Sequence, residues 1–120
     1  MYVCISLGIT AATAFFGTLT SMNVTFEWDE HKNRQNRRKH SLSFEEVRPL
    51  FTAGNDYLEI FDTEHSLEED RFICIGPIET GIVVVVITEV ADAVIRLISA
   101  RWATPRESRL YHDFVRERLS

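Results

Sequence analysis

Cysteine is scarce in this 120-residue chain, and the two present, Cys4 and Cys74, lie far apart with no metal-ligand spacing. That argues against a disulfide framework and against a zinc site. Cys74 reads as a small buried apolar residue in a strand. Charge is missing from the first 21 residues: all 13 Lys/Arg and all 18 Asp/Glu come after Ser21. A secretory signal needs a positive n-region, and none is there. Thr10, Thr13, Gly17, Thr18 and Thr20 break the apolar runs, which makes a poor membrane span. Residues 1–21 therefore read as an upstream start-site artefact or a disordered extension rather than an export signal or anchor. An extra helix or strand docking on the domain is the remaining alternative. Familiar nucleophile, phosphate-loop and metal patterns are also lacking, so no metal and no cofactor is implied. No internal repeat or low-complexity tract follows residue 22.

What remains is one small domain over residues 22–120, with ordinary hydrophobic (45%) and charged (26%) content for a globular protein. Its net charge of −5 argues at first sight against nucleic acid as a partner. The charge is uneven, however. Residues 31–40 read HKNRQNRRKH, carrying Lys32, Arg34, Arg37, Arg38 and Lys39 between two histidines, while acid gathers at Glu45–Glu46 and Glu64–Asp70. A local basic surface matters more for phosphate attraction than the whole-chain balance.

Val24 to Trp28 alternates like a first strand, and Asp29 can cap a helix reaching about His40. From Asp29 to Ser41 there is no apolar residue, so no face of that helix is suited to an ordinary core. It reads as a solvated connector or a surface kept charged for a partner. Ser43-Phe44-Glu45-Glu46 has capping-box spacing and opens a second helix, with Phe44, Val47, Leu50 and Phe51 inward. Strands follow at Tyr57–Phe61 and Arg71–Ile75, separated by an acidic loop. Gly76 and Pro77 interrupt. Ile82–Ile87 (IVVVVI) is a central strand covered on both faces. Glu89–Asp92 connects to the last strand, Ala93–Trp102. Thr104, Pro105 and Glu107 then start a helix with Leu110, Tyr111, Phe114 and Val115 on its apolar stripe. The order β-α-α-β-β-β-β-α implies an α+β domain: an antiparallel sheet with helices packed on a face.

The candidate chemistry lies in cations. Lys39 and His40 close the basic helix, where the macrodipole also favours them as a plain structural cap. Arg71 opens one strand; Arg96 and Arg101 lie on the last. Arg96 interrupts Val94-Ile95-Arg96-Leu97-Ile98 and must reach an acid, a phosphate or solvent. Simple alternation puts Arg96 and Arg101 on opposite faces unless a bulge falls between them. Trp28 and Trp102 suit base stacking, but equally a place in the core or at its rim.

Residues 26–47, FEWDEHKNRQNRRKHSLSFEEV, resemble the opening of BrnT-type ribonuclease toxins: an FEWD-like stretch, a helix ending N-x-x-K-H, then S-F-E-E-A. Glu69-Asp70-Arg71-Phe72 is similar to the family's E-E-R-F. Ile95 to Thr104 is similar to its I-R-I-I-S-A-R-x-A-T, followed by a helix opening x-R-E. The resemblance covers about residues 22–118 in the family's order, and residues before Met22 have no counterpart in it. Val47 in place of alanine and the apolar-free first helix are departures.

The resemblance implies a RelE-like fold and metal-independent endoribonuclease activity that arrests translation and growth. It implies a cytoplasmic protein, neutralised by a BrnA-type ribbon-helix-helix antitoxin, with operator DNA bound only through that antitoxin. Metal-free RNA cleavage needs a base, an acid and cations for the charge developing on phosphorus. Arg101 and Arg71 are the candidates for the phosphate, and His40 or Lys39 for proton transfer. Lys32, Arg34, Arg37, Arg38 and Arg96 are the candidates for binding the RNA backbone. The competing reading is a non-catalytic module, a toxin remnant that still binds nucleic acid or an antitoxin.

Overall fold

The structure, a computed structural model, describes residues 24–64 and 69–119. The expectation for residues 1–21 lies outside the described residues, as does the middle of the acidic loop. Strand β1 (Thr25–Glu27) leads into helix α1 (Glu30–His40) and two short helical turns, α2 (Phe44–Val47) and α3 (Pro49–Thr52). Strands β2 (Leu58–Phe61), β3 (Phe72–Ile78), β4 (Gly81–Ala91) and β5 (Val94–Trp102) follow, and α4 (Pro105–Leu119) comes last. The sheet runs in the order β1-β5-β4-β3-β2. The β2–β3, β3–β4 and β4–β5 pairs are antiparallel, whereas β1 lies parallel to the first half of β5. The expected α+β class holds, with one parallel pair in a mostly antiparallel sheet.

The central strand is covered on both faces, as its continuous apolar run predicts. Val83, Val85 and Ile87 of β4 pack with Phe44, Val47 and Leu50 on one face. Val84 packs with Tyr111 and Phe114 of α4 on the other. The helices thus divide between two faces instead of sharing one. Tyr111 anchors α4 through its hydroxyl, which donates to the Asp56 carbonyl at 3.0 Å.

Three local expectations need correction. The second helix is split by Pro49, which has no N–H to continue the ladder and begins α3 instead. Its inward residues stay as read: Phe44, Val47 and Leu50 are buried and Phe51 partly so. Gly76 and Pro77 do not interrupt β3, which continues to Ile78 paired with β4. The β2 ladder has already ended at Leu58↔Ile75, so the missing N–H of Pro77 costs no bond on that edge. Gly76 is needed where it stands: a Cβ there would lie 2.6 Å from Leu50 Cδ1 and 2.8 Å from Tyr57 Cβ.

The third correction concerns α1, which does have a buried face, made of amides. Asn33 and Asn36 are buried while Lys32, Arg34, Arg37, Arg38 and Lys39 are exposed. Asn36 Nδ2 donates to the carbonyls of Ala100 (2.7 Å) and Leu42 (2.8 Å), and its Oδ1 accepts the Ala100 N–H at 3.1 Å. Asn33 Oδ1 accepts the Phe44 N–H at 2.8 Å, and Asn33 Nδ2 donates to Glu45 at 2.8 Å. The β1 ladder ends at Glu27↔Arg96, so beyond it this edge of β5 has no strand alongside among the described residues. An amide carries both a donor and an acceptor, and Asn36 completes the edge as a strand would.

Candidate functional site

Arg96 and Arg101 come to one face of the sheet because β5 carries a bulge. Val86 pairs with Ser99 and Ile87 with Leu97, so Ile98 has no partner opposite it and the alternation resets. Leu97 and Ala100, three residues apart, therefore both enter the core beneath α1 to α3. Arg96 and Arg101 point to the opposite face, the one α4 packs on. Arg71 joins them there by alternation, since Phe72 belongs to the first core and Ile73 to the second.

Helix α4 covers only part of this face. Leu58, Ile75 and Val84 lie buried with it, but the cross-strand row Ile73, Val86 and Ser99 is only half-buried. The three arginines border that half-open floor. At one end Arg96 meets Glu27 (Nε to Oε2, 2.7 Å) across the β1–β5 register, and lies 4.0 Å from Glu69. Arg71 reaches the same Glu69 at 3.4 Å. At the other end Arg101 makes a two-pronged pair with Glu107, Nη1 to Oε1 and Nη2 to Oε2, each 2.8 Å. The Arg101 guanidinium, with a small contribution from Thr104, holds the Glu107 carboxyl down at about 2. The same contact raises Arg101 above its ordinary value.

The α1 candidates approach from the side of β5. Asn33, Asn36 and His40 are spaced three and four apart, so they share the stripe of α1 that faces the domain. Asn36 is fastened to Ala100, the neighbour of Arg101, and His40, half-buried, is one turn further on. Lys39 is exposed beside it. Basic residues fill the last turn, where they also complement the helix dipole. Lys32, Arg34, Arg37 and Arg38 line the outward face of α1.

Sequence reasoning overlooked four residues of this surface. Ser99 on the floor and the acids Glu27, Glu69 and Glu107 were not singled out as part of any site. The capping-box spacing drew attention to Glu107, but only as a helix start. Trp28 is a structural aromatic, edge-on to Phe44 at 5.9 Å with its indole N–H on Glu30. Trp102 is 40% exposed, at the rim beside Gly81.

The family model of the ribonuclease toxin BrnT of type II toxin–antitoxin systems matches residues 28–107, 80 of the 120 in the chain. The chain belongs to the BrnT family. The 1.1 Å crystal structure of the Brucella abortus ribonuclease toxin BrnT is similar to it, with 26% identity and a TM-score of 0.53, covering 68% of this chain and 97% of that one. No curated protein sequence matches. As a BrnT-family protein the chain is a ribonuclease toxin, and its counterpart is an antitoxin. The family match takes in α1 to β5, the segment that builds the arginine-bordered face.

Proposed function

We propose that this BrnT-family chain is a metal-independent endoribonuclease whose scissile phosphate is held at the half-open face bordered by Arg71, Arg96 and Arg101. The observation that carries this reading is the bulge at Ile98, which turns Arg96 and Arg101 to one side of the sheet. In the reaction the 2′-oxygen attacks the adjacent phosphorus while the bond to the 5′-oxygen breaks. One group takes the 2′-hydroxyl proton and another returns a proton to the leaving oxygen. His40 and Lys39 are assigned to those transfers. Charge accumulates on the non-bridging oxygens, and a planar guanidinium meets two of them at once. Arg101 and Arg71 are assigned to that charge. Arg96, with Lys32, Arg34, Arg37 and Arg38 on α1, steers the RNA backbone. The toxin acts in the cytoplasm. A BrnA-type ribbon-helix-helix antitoxin neutralises it, and operator DNA is bound through that antitoxin.

The test is cleavage of a labelled RNA by the purified chain in chelator, with the product ends identified. A 2′,3′-cyclic phosphate end formed in chelator is the expected result. Arg101→Ala should slow cleavage by about 10²- to 10³-fold, the usual cost of removing one donor to developing negative charge. Arg101→Ala that cleaves like the parent protein removes Arg101 from the site. RNA bound tightly without cleavage by any preparation favours the non-catalytic reading.

A further inference from the structure

We propose that Glu107 is a positioning residue that aims Arg101 at the RNA phosphate, a step that rests on the reading of Arg101 as a phosphate ligand. Arg101 differs from Arg96 in how it is held. Arg96 has one close contact, Nε to Glu27 Oε2 at 2.7 Å, and its second acid, Glu69, lies at 4.0 Å. Arg101 has both Nη atoms fixed at 2.8 Å on the two oxygens of one carboxylate.

That carboxylate is itself immobilised. Glu107 Oε1 accepts the Thr104 N–H at 2.9 Å, and the Glu107 N–H donates to Thr104 Oγ1 at 3.2 Å. The clamp is thus tied to the first turn of α4, and α4 is packed on the sheet. Glu107 is the inner partner, with its side chain 25% exposed against 41% for Arg101, so the pair presents the cation outward. A guanidinium carries five N–H donors. The end-on pair uses one on each Nη, and Nη1 also donates to the Trp102 carbonyl at 3.3 Å, which leaves Nε–H and the second hydrogen of Nη2. Fixing an otherwise flexible side chain before substrate arrives removes an ordering cost from the transition state.

Two roles of Glu107 must be separated, the cap of α4 and the aiming of Arg101. Glu107→Gln keeps an oxygen for the Thr104 N–H but puts an NH₂ where Arg101 needs an acceptor. Thr104→Ala removes the hydroxyl arm of the cap and leaves the Arg101–Glu107 pair in place. Steady-state cleavage of an RNA oligonucleotide by the full chain, with thermal unfolding of each variant, reads both. Glu107→Gln should lower kcat at least about tenfold, with KM and melting temperature little changed, because misplacing a catalytic group acts on the chemical step. Thr104→Ala should lower the melting temperature and keep kcat. In an Arg101→Ala background, Glu107→Gln should cause no further loss of kcat, since the two residues act as one unit.

A Glu107→Gln protein that cleaves as fast as the parent or faster, while Arg101→Ala is inactive, overturns the proposal and leaves the Arg101 reading standing. So does a Glu107→Gln loss that tracks its melting temperature as Thr104→Ala does. An active Arg101→Ala protein removes the underlying reading, and the role of Glu107 with it.

Discussion

Glu59 on β2 is only 1% exposed and stands beside Cys74 in the β2–β3 register, and its Oε1 has no hydrogen-bond partner among the described residues. Loss of water around the carboxylate, with a smaller contribution from the negative charge of Glu89, raises its pKa to about 7. The same burial pushes the Cys74 thiol and the Tyr57 hydroxyl up, so both neighbours stay neutral. In the unfolded chain Glu59 loses its proton near the ordinary 4.5, while in the folded chain it keeps it until about 7. Below the lower value both states are protonated and nothing is lost. As pH rises between the two, the unfolded state alone releases its proton and stability falls; above the upper value the penalty is complete. A gap of this size is worth about 3 kcal/mol. Glu59→Gln should therefore flatten the decline in stability between pH 5 and 8 and raise stability at pH 8 by up to about 3 kcal/mol. Urea unfolding across that range checks it, and parallel curves for the two proteins would show that Glu59 is not the group responsible.

Helix α1 presents a different kind of buried polarity, one in which the partners are all present. Asn36 satisfies three backbone groups, the N–H and carbonyl of Ala100 and the carbonyl of Leu42. A buried backbone group left without a partner costs about 1–3 kcal/mol, so Asn36→Leu should destabilise the domain by at least about 3 kcal/mol. The Ala100 amide should at the same time lose its protection from hydrogen exchange. A variant that loses stability with Ala100 still protected would mean that another group closes this edge of β5. The same contact shows where sequence reading reaches and where it stops. Periodicity and caps are local signals, and they located Ile82–Ile87 as a two-faced strand, the Ser43–Glu46 capping box and the start of α4. Asn36 acts across 64 positions, and an amide among arginines carries no pattern that announces a docked face. The unpartnered Ile98 is equally silent, because a bulge is defined by the opposite strand. The arginines were visible as candidates; their common face, and the acids that hold them, depended on register. The parallel pairing of β1 with β5, which brings Glu27 to Arg96, is non-local in the same way.

At the scale of the molecule the proposed function asks an acidic protein to bind a polyanion. The chain carries −5 overall, and Arg71, Arg96 and Arg101 each have a carboxylate in contact or nearby. These arginines are poor long-range attractors for that reason, since each pair is close to neutral from a distance, and in the proposed function they engage phosphate only at contact. In the proposed function long-range attraction falls instead to α1, where Lys32, Arg34, Arg37 and Arg38 are exposed and the amide stripe leaves them nothing to do in the core. Phosphate neutralisation releases condensed counterions, with a slope of log affinity against log salt of about −0.7 per contact on a single strand. Replacing any one of the four α1 cations by alanine should weaken RNA binding at low salt and reduce that slope by about 0.7, with the cleavage pattern unchanged. Binding titrations from low to physiological salt, alongside mapping of the cut sites, measure both. If a variant loses affinity at constant slope, or moves the cut sites, the α1 residue contacts bases, and attraction of the RNA must come from elsewhere on the surface.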